Sequence, residues 1–123
     1  MRDEHRPVVA VVDDDEAVRD SLRFLLEIAG YAVTSFASAC EFFRMAGPAE
    51  TDCLLLDQHM PRVTGLELLR RLRDAGHALP VALMTGSPSA DLTRQAAELG
   101  VTTVLEKPLS EDVLFQFVER AVA

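Results

Sequence analysis

Val8-Val9-Ala10-Val11-Val12-Asp13-Asp14-Asp15 is five apolar residues running without alternation into three carboxylates. An uninterrupted apolar run of this length belongs to a strand covered on both faces, as in a parallel sheet sandwiched by helices. The pattern recurs. Cys53-Leu54-Leu55-Leu56 ends at Asp57, Val81 to Met84 ends at Thr85, and Thr102 to Leu105 leads into Glu106-Lys107-Pro108. Helical patterns lie between these runs, so the strands are expected to be parallel, with all their carboxyl ends at one edge.

Working outward, the acidic run caps a helix from about Glu16 to Ala29, with Val18, Leu22, Leu25 and Leu26 on one face and Gly30 as its stop. A second strand is predicted at Ala32 to Phe36. Ser38-Ala39-Cys40-Glu41 has capping-box spacing for a short helix ending near Gly47-Pro48. Strand three is Cys53 to Leu56. A loop, Gln58 to Thr64, then leads to a helix from about Gly65 to Ala75 with Leu66, Leu69 and Leu72 inward, ended by Gly76. Strand four is Val81 to Met84. The small residues Thr85-Gly86-Ser87-Pro88 cannot continue it and can bring backbone amides close to a ligand. A helix from about Ala90 to Leu99 follows, then strand five, Thr102 to Leu105. Ser110 caps a last helix carrying Val113, Phe117 and Val118. Strict alternation with right-handed crossovers puts helices on both faces of a parallel sheet, and the ligand crevice at the strands' carboxyl ends.

The 123 residues, 49% hydrophobic, make one domain spanning 1–123 with a proper core. Twelve Lys and Arg against 20 Asp and Glu give a formal charge of -8, which argues against direct nucleic-acid binding. The charged start Met1 to Arg6, and the lack of any apolar stretch near the roughly 18 residues that span a bilayer, point to a cytoplasmic protein with no membrane contact. Cys40 and Cys53 lack metal-ligand spacing and are read as small apolar packers.

The strand ends bring Asp13, Asp14, Asp57 and Lys107 to one edge. Acids gathered in one crevice repel, and a hard divalent cation such as Mg²⁺ together with one ammonium is the ordinary remedy. Taken singly, each residue has a plainer reading. The aspartates could be an acidic helix start held by the macrodipole, Asp57 a loop cap, Thr85 a strand end and Lys107 a solvated charge. Their conjunction on one edge favours a site that binds a metal and handles a phosphoryl group.

Val12-Asp13-Asp14, Asp57 with Met60-Pro61 and Gly65 behind it, Thr85-Gly86 and Lys107-Pro108 together resemble the receiver domain of two-component response regulators. The resemblance covers essentially the whole chain. Val18-Arg19 and Leu66-Glu67-Leu68-Leu69 are most similar to receivers attached to helix-turn-helix transcription outputs. It implies a flavodoxin-like (βα)5 three-layer α/β sandwich, with five parallel strands in the order 2-1-3-4-5. It also implies that Asp57 takes a phosphoryl group from a sensor histidine kinase. Asp13, Asp14, Asp57 and the backbone carbonyl of His59 would hold Mg²⁺, or Mn²⁺ in its place. Lys107 would pair with Asp57 and then with the phosphoryl oxygens, which Thr85 and Gly86 would also bind. A cis peptide is implied before Pro108. The resemblance further implies a signalling domain rather than an enzyme, with at most weak loss of its own phosphoryl group.

Three positions depart from the pattern or stand outside it. Receivers often carry an aromatic ring three residues before the lysine, where this chain has Val104, so Val104 and helix four are read as the signalling face and as the surface of a phosphorylation-dependent homodimer. Asp15 takes no direct ligand role, and His59 is read as an exposed loop side chain contributing only its carbonyl. The rival from another class is a small haloacid-dehalogenase-like phosphatase using Asp13 and Asp15. It lacks the Thr or Val expected soon after and leaves Asp57 and Lys107 less well explained.

Overall fold

β1, Val8–Val12, lies inside the sheet, flanked on both sides by other strands, because both of its faces are apolar and both need covering. The computed structural model describes residues 6–45 and 48–123. Among these, the strands are β1, β2 (Ala32–Phe36), β3 (Cys53–Asp57), β4 (Val81–Thr85) and β5 (Thr103–Glu106), all paired in parallel in the order β2-β1-β3-β4-β5. The helices are α1 (Glu16–Ile28), α2 (Ala39–Met45), α3 (Gly65–Asp74), α4 (Ala90–Glu98) and α5 (Glu111–Val122). One 3₁₀ turn, Pro48–Glu50, precedes β3. The fold is flavodoxin-like, as the sequence led us to expect.

The side-chain alternation of the strands divides the core in two. Ala10, Val12, Leu54, Leu56 and Leu83 face a layer built on Phe42, Leu69, Leu72, Leu92 and Ala96 from α2, α3 and α4. Val9, Val11, Leu55, Ala82 and Met84 face Leu22, Leu26, Leu114 and Val118 from α1 and α5. Strands so covered read as continuous apolar runs, which explains why their positions were legible.

Several local expectations need correction. β3 and β4 each continue one residue further, so Asp57 and Thr85 are the last strand residues rather than the first of the loops. β5 is displaced by one residue, to Thr103–Glu106. On α5 the inward pair is Leu114 and Val118, four residues apart, while Val113 is 45% exposed and Phe117 only half-buried. Val113 sits about 100° around the helix from Leu114, and that rotation carries it toward solvent. Ser110 occupies the cap of α5 without a side-chain bond. At α2, Ser38 accepts from the Glu41 amide at 3.2 Å, but Glu41 reaches back to the Ala37 amide, at 3.0 Å. The end of α2 near Gly47 lies outside the described residues. Gly30 and Gly76 stop their helices with φ of 98° and 88°. Cys53 is buried as expected, whereas Cys40 is exposed.

Candidate functional site

Parallel pairing of β1, β3, β4 and β5 in register delivers the ends of those strands to one edge. Asp13 and Thr85 are fully buried there, and Asp57 is 2% exposed. Asp14 stands exposed at the rim. Lys107, after β5, donates through Nζ to Asp13 Oδ2 at 2.8 Å and to Asp57 Oδ1 at 3.1 Å. Its peptide with Pro108 is cis. The second oxygen of Asp13 accepts from the Asp15 amide at 2.9 Å, and Asp57 Oδ1 also accepts from the His59 amide at 3.3 Å. Each buried acid is therefore hydrogen-bonded, as burial requires.

The loop after β3 is held rigidly. Gly65 N–H donates to the Gln58 carbonyl at 3.1 Å, and Gln58 Oε1 accepts from the Leu66 amide at 2.9 Å. A Cβ on Gly65 would stand 2.6 Å from the Asp57 carbonyl oxygen, so only glycine lets α3 start this close to Asp57. Thr64 closes a capping box with Glu67 at the start of α3. Neither Gln58 nor Thr64 stood out in the sequence, although Thr64 and Glu67 have the required spacing. Arg19, on α1, donates to the Asp13 carbonyl at 2.7 Å and was also missed.

The electrostatics are those of an acidic pocket. Burial raises the Asp57 carboxyl above its usual value and the neighbouring Asp13 charge adds to this, while Lys107 and the His59 amide offset the rise only in part. Burial alone would lower Lys107, yet its bonds to Asp13 and Asp57 leave it raised and firmly charged. Oxygens from Asp13, Asp14 and Asp57 lie within 4.8 Å of one another. Three carboxylates against one ammonium, all oxygen donors and open at Asp14, match what a hard divalent cation requires.

The expected residues thus converge, with two qualifications. Gly86 lies exposed at the rim, and Val104 is on β5, half-buried against the layer containing Leu83, Leu92 and Ala96. The reading of His59 needs a larger correction. Although His59 is exposed overall, its Nε2 is 2.9 Å from the Thr85 hydroxyl, so the ring takes part in the site. The phosphatase alternative finds no support at Asp15, whose carboxylate accepts from the Ala17 amide at 2.9 Å as the cap of α1. An oxygen spent on the helix is not poised as the acid of a catalytic pair. No helix among the described residues is long and apolar enough to cross a membrane.

Comparison with known proteins agrees with this geometry. Residues 9–119 match the response regulator receiver domain family. The transcriptional regulatory protein FixJ of Azorhizobium caulinodans is 40% identical over 114 residues, covering 93% of this chain and 54% of that protein. The chain spans about half the length of the curated relatives it matches. The crystal structure of FixJ-N superposes with a TM-score of 0.83 at 35% identity, covering 96% of this chain and 94% of that one. The chemotaxis protein CheY4 of Vibrio cholerae superposes at 0.87 and 27% identity, covering 95% and 99%. The chain belongs to the response regulator receiver domain family, the phosphoacceptor domains of two-component signalling.

Proposed function

We propose that Asp57 is the phosphoryl acceptor and that a sensor histidine kinase is the donor. The observation that carries this is the pairing of a nearly buried carboxylate at the end of β3 with Lys107 at 3.1 Å. In the transfer, an Asp57 oxygen attacks phosphorus, the P–N bond of the kinase phosphohistidine breaks, and the imidazole nitrogen leaves with the electron pair. Lys107 and the His59 amide both donate to Oδ1, which supports Oδ2 as the attacking oxygen. Lys107 neutralises charge on the phosphoryl oxygens, and Thr85 and the Gly86 amide bind them.

Asp13, Asp14, Asp57 and the His59 carbonyl would hold Mg²⁺, or Mn²⁺ in its place. When bound, the cation neutralises charge on the reacting oxygens. The phosphoryl group is lost slowly without a partner, so the domain signals rather than turns over substrate. Residues 1–123 act as the receiver portion of a cytoplasmic transcription regulator with a helix-turn-helix output, in keeping with the FixJ likeness. Thr85 Oγ1 accepts from the Ser87 amide at 3.0 Å, so a moving hydroxyl pulls the loop that leads to α4. The surface shared by α4 and β5 is the output face, and it pairs two phosphorylated copies.

Incubation with acetyl phosphate and Mg²⁺ is expected to add one phosphoryl mass, and Asp57→Asn to abolish it. Equal labelling of the variant would overturn the assignment. Mg²⁺ is expected to stabilise the protein by about 2.7 kcal/mol at a hundredfold excess over its Kd. Because Asp14 is exposed, Asp14→Ala should remove that response while leaving the metal-free melting temperature close to that of the parent.

A further inference from the structure

The Thr85 hydroxyl is buried where two loops meet. From the loop after β4, the Ser87 amide donates to it at 3.0 Å, and from the loop after β3, His59 Nε2 lies 2.9 Å away. A hydroxyl has one proton and two lone pairs. With the ring protonated at Nδ1, the hydroxyl donates to Nε2 and its proton is spent. With Nε2 protonated, the ring donates and, together with the Ser87 amide, fills both lone pairs. In either tautomer the oxygen is tied to His59.

A phosphoryl group on Asp57 makes a competing demand, because Thr85 must donate to one of its oxygens: this takes the hydroxyl proton from Nε2 in the first tautomer, and in both it draws the hydroxyl away from the ring. His59 already touches both partners, the acceptor through its backbone amide and the hydroxyl through its ring. We propose that the His59 imidazole is a latch that holds Thr85 in the unphosphorylated position and so sets how readily the domain switches. His59 is then a positioning residue acting through Thr85. The latch rests on the reading of Thr85 as a phosphoryl-binding hydroxyl. Releasing it favours the switched state, since a bond made only before the switch is lost on switching. Gln is the conservative replacement, because its terminal amide is as many bonds from Cα as Nε2 is and can also reach the hydroxyl.

The test uses beryllium fluoride with Mg²⁺ as the phosphoryl mimic and calorimetry as the readout. One hydrogen bond corresponds to a change of about threefold to tenfold in affinity. His59→Ala is expected to bind the mimic tighter by that factor, and His59→Gln to return close to the parent value. In the metal-free protein, His59→Ala is expected to broaden the Thr85 χ1 distribution, read from NMR couplings to its methyl group. In the His59→Ala background, where no latch offsets the loss, Thr85→Ala is expected to weaken binding, and adding His59→Ala to Thr85→Ala is expected to change nothing. If the double variant binds as tightly as His59→Ala alone, the reading of Thr85 falls and the latch with it. If Thr85→Ala weakens binding but His59→Ala leaves it within about twofold of the parent, only the latch falls. An equal effect of His59→Ala with and without Thr85 also overturns the latch, because the ring would then act directly on the phosphoryl group.

Discussion

Thr34 on β2 carries a buried hydroxyl oxygen with no hydrogen-bond partner, the one such side-chain atom among the described residues. Desolvating a hydroxyl without repaying it costs roughly 1–3 kcal/mol, and valine keeps the branched shape without the oxygen. Thr34→Val should therefore raise stability by about 1 kcal/mol, seen as a higher urea midpoint at unchanged slope. Cys53 shows the opposite kind of burial, an apolar one. Burial, with a smaller contribution from Asp52, pushes its thiol up from 9.0 to about 12. Unfolded, the thiol ionises above pH 9, while folded it keeps its proton until about pH 12, so unfolding releases a proton in that window and stability falls as pH rises through it. Cys53→Ala should lessen this fall in urea titrations run from pH 8.5 upward. At pH 8 a disulfide reagent should titrate Cys40 alone in the folded protein, and both thiols in urea.

Between elements, Arg73 does work that no pattern advertised. From the end of α3 it donates to the carbonyl of Leu99, after α4, at 2.8 Å, and to those of His77 and Leu79 at 2.9 and 3.1 Å. Losing a charged donor to three carbonyls should cost about 2 kcal/mol in Arg73→Ala. Arg73→Lys should recover less than half of that, because an ammonium cannot reproduce the planar fork. Chemical denaturation of the two variants checks both values. This contact connects residues 26 apart, and long-range pairings of this kind have no signature in periodicity. What could be read was whatever periodicity and end chemistry encode. Four of the five strands stood out because each is an apolar run leading to Asp13, Asp57, Thr85 or Lys107, and those residues with Asp14 announced the site. The ring of His59 was misjudged because its partner, Thr85, comes from another strand, and a loop histidine looks alike in sequence whether its tip is free or bonded. The inward face of α5 was misread for a related reason. Val113 and Leu114 are both apolar, and only the packing of Leu114 and Val118 against the sheet decides the helix's rotation.

For the molecule as a whole, the pocket and the α4–β5 surface proposed as the output face are joined by short steps from β4 into α4. Thr85 ends β4 with its hydroxyl bonded to Ser87, Ser89 caps α4, and the helix then carries Ala90 and Ala97, exposed and two turns apart on one side. Around them Arg94 is paired with both Asp91 and Glu98 along the helix, so these charges are internally paired with one negative charge left over. β5 is the edge strand beside it. With valine at 104 and no aromatic ring to swing inward, the proposed displacement of Thr85 would act through the Gly86–Pro88 loop and α4. Small exposed groups among internally paired charges suit a symmetric contact between two copies. Val104 is a poor probe of this face, because it is half-buried against the core and a charge there would unsettle the fold as well. Ala97→Arg is better. Ala97 is exposed near the end of α4, where no basic residue answers the helix dipole, so the substitution should leave the monomer intact or slightly stabilised. With beryllium fluoride and Mg²⁺, sedimentation velocity should show the parent moving to dimer and Ala97→Arg remaining monomeric, while both accept a phosphoryl group at Asp57 equally. A parent that stays monomeric at high concentration under the mimic would assign the face to a different partner. A dimerising Ala97→Arg would move the interface off α4.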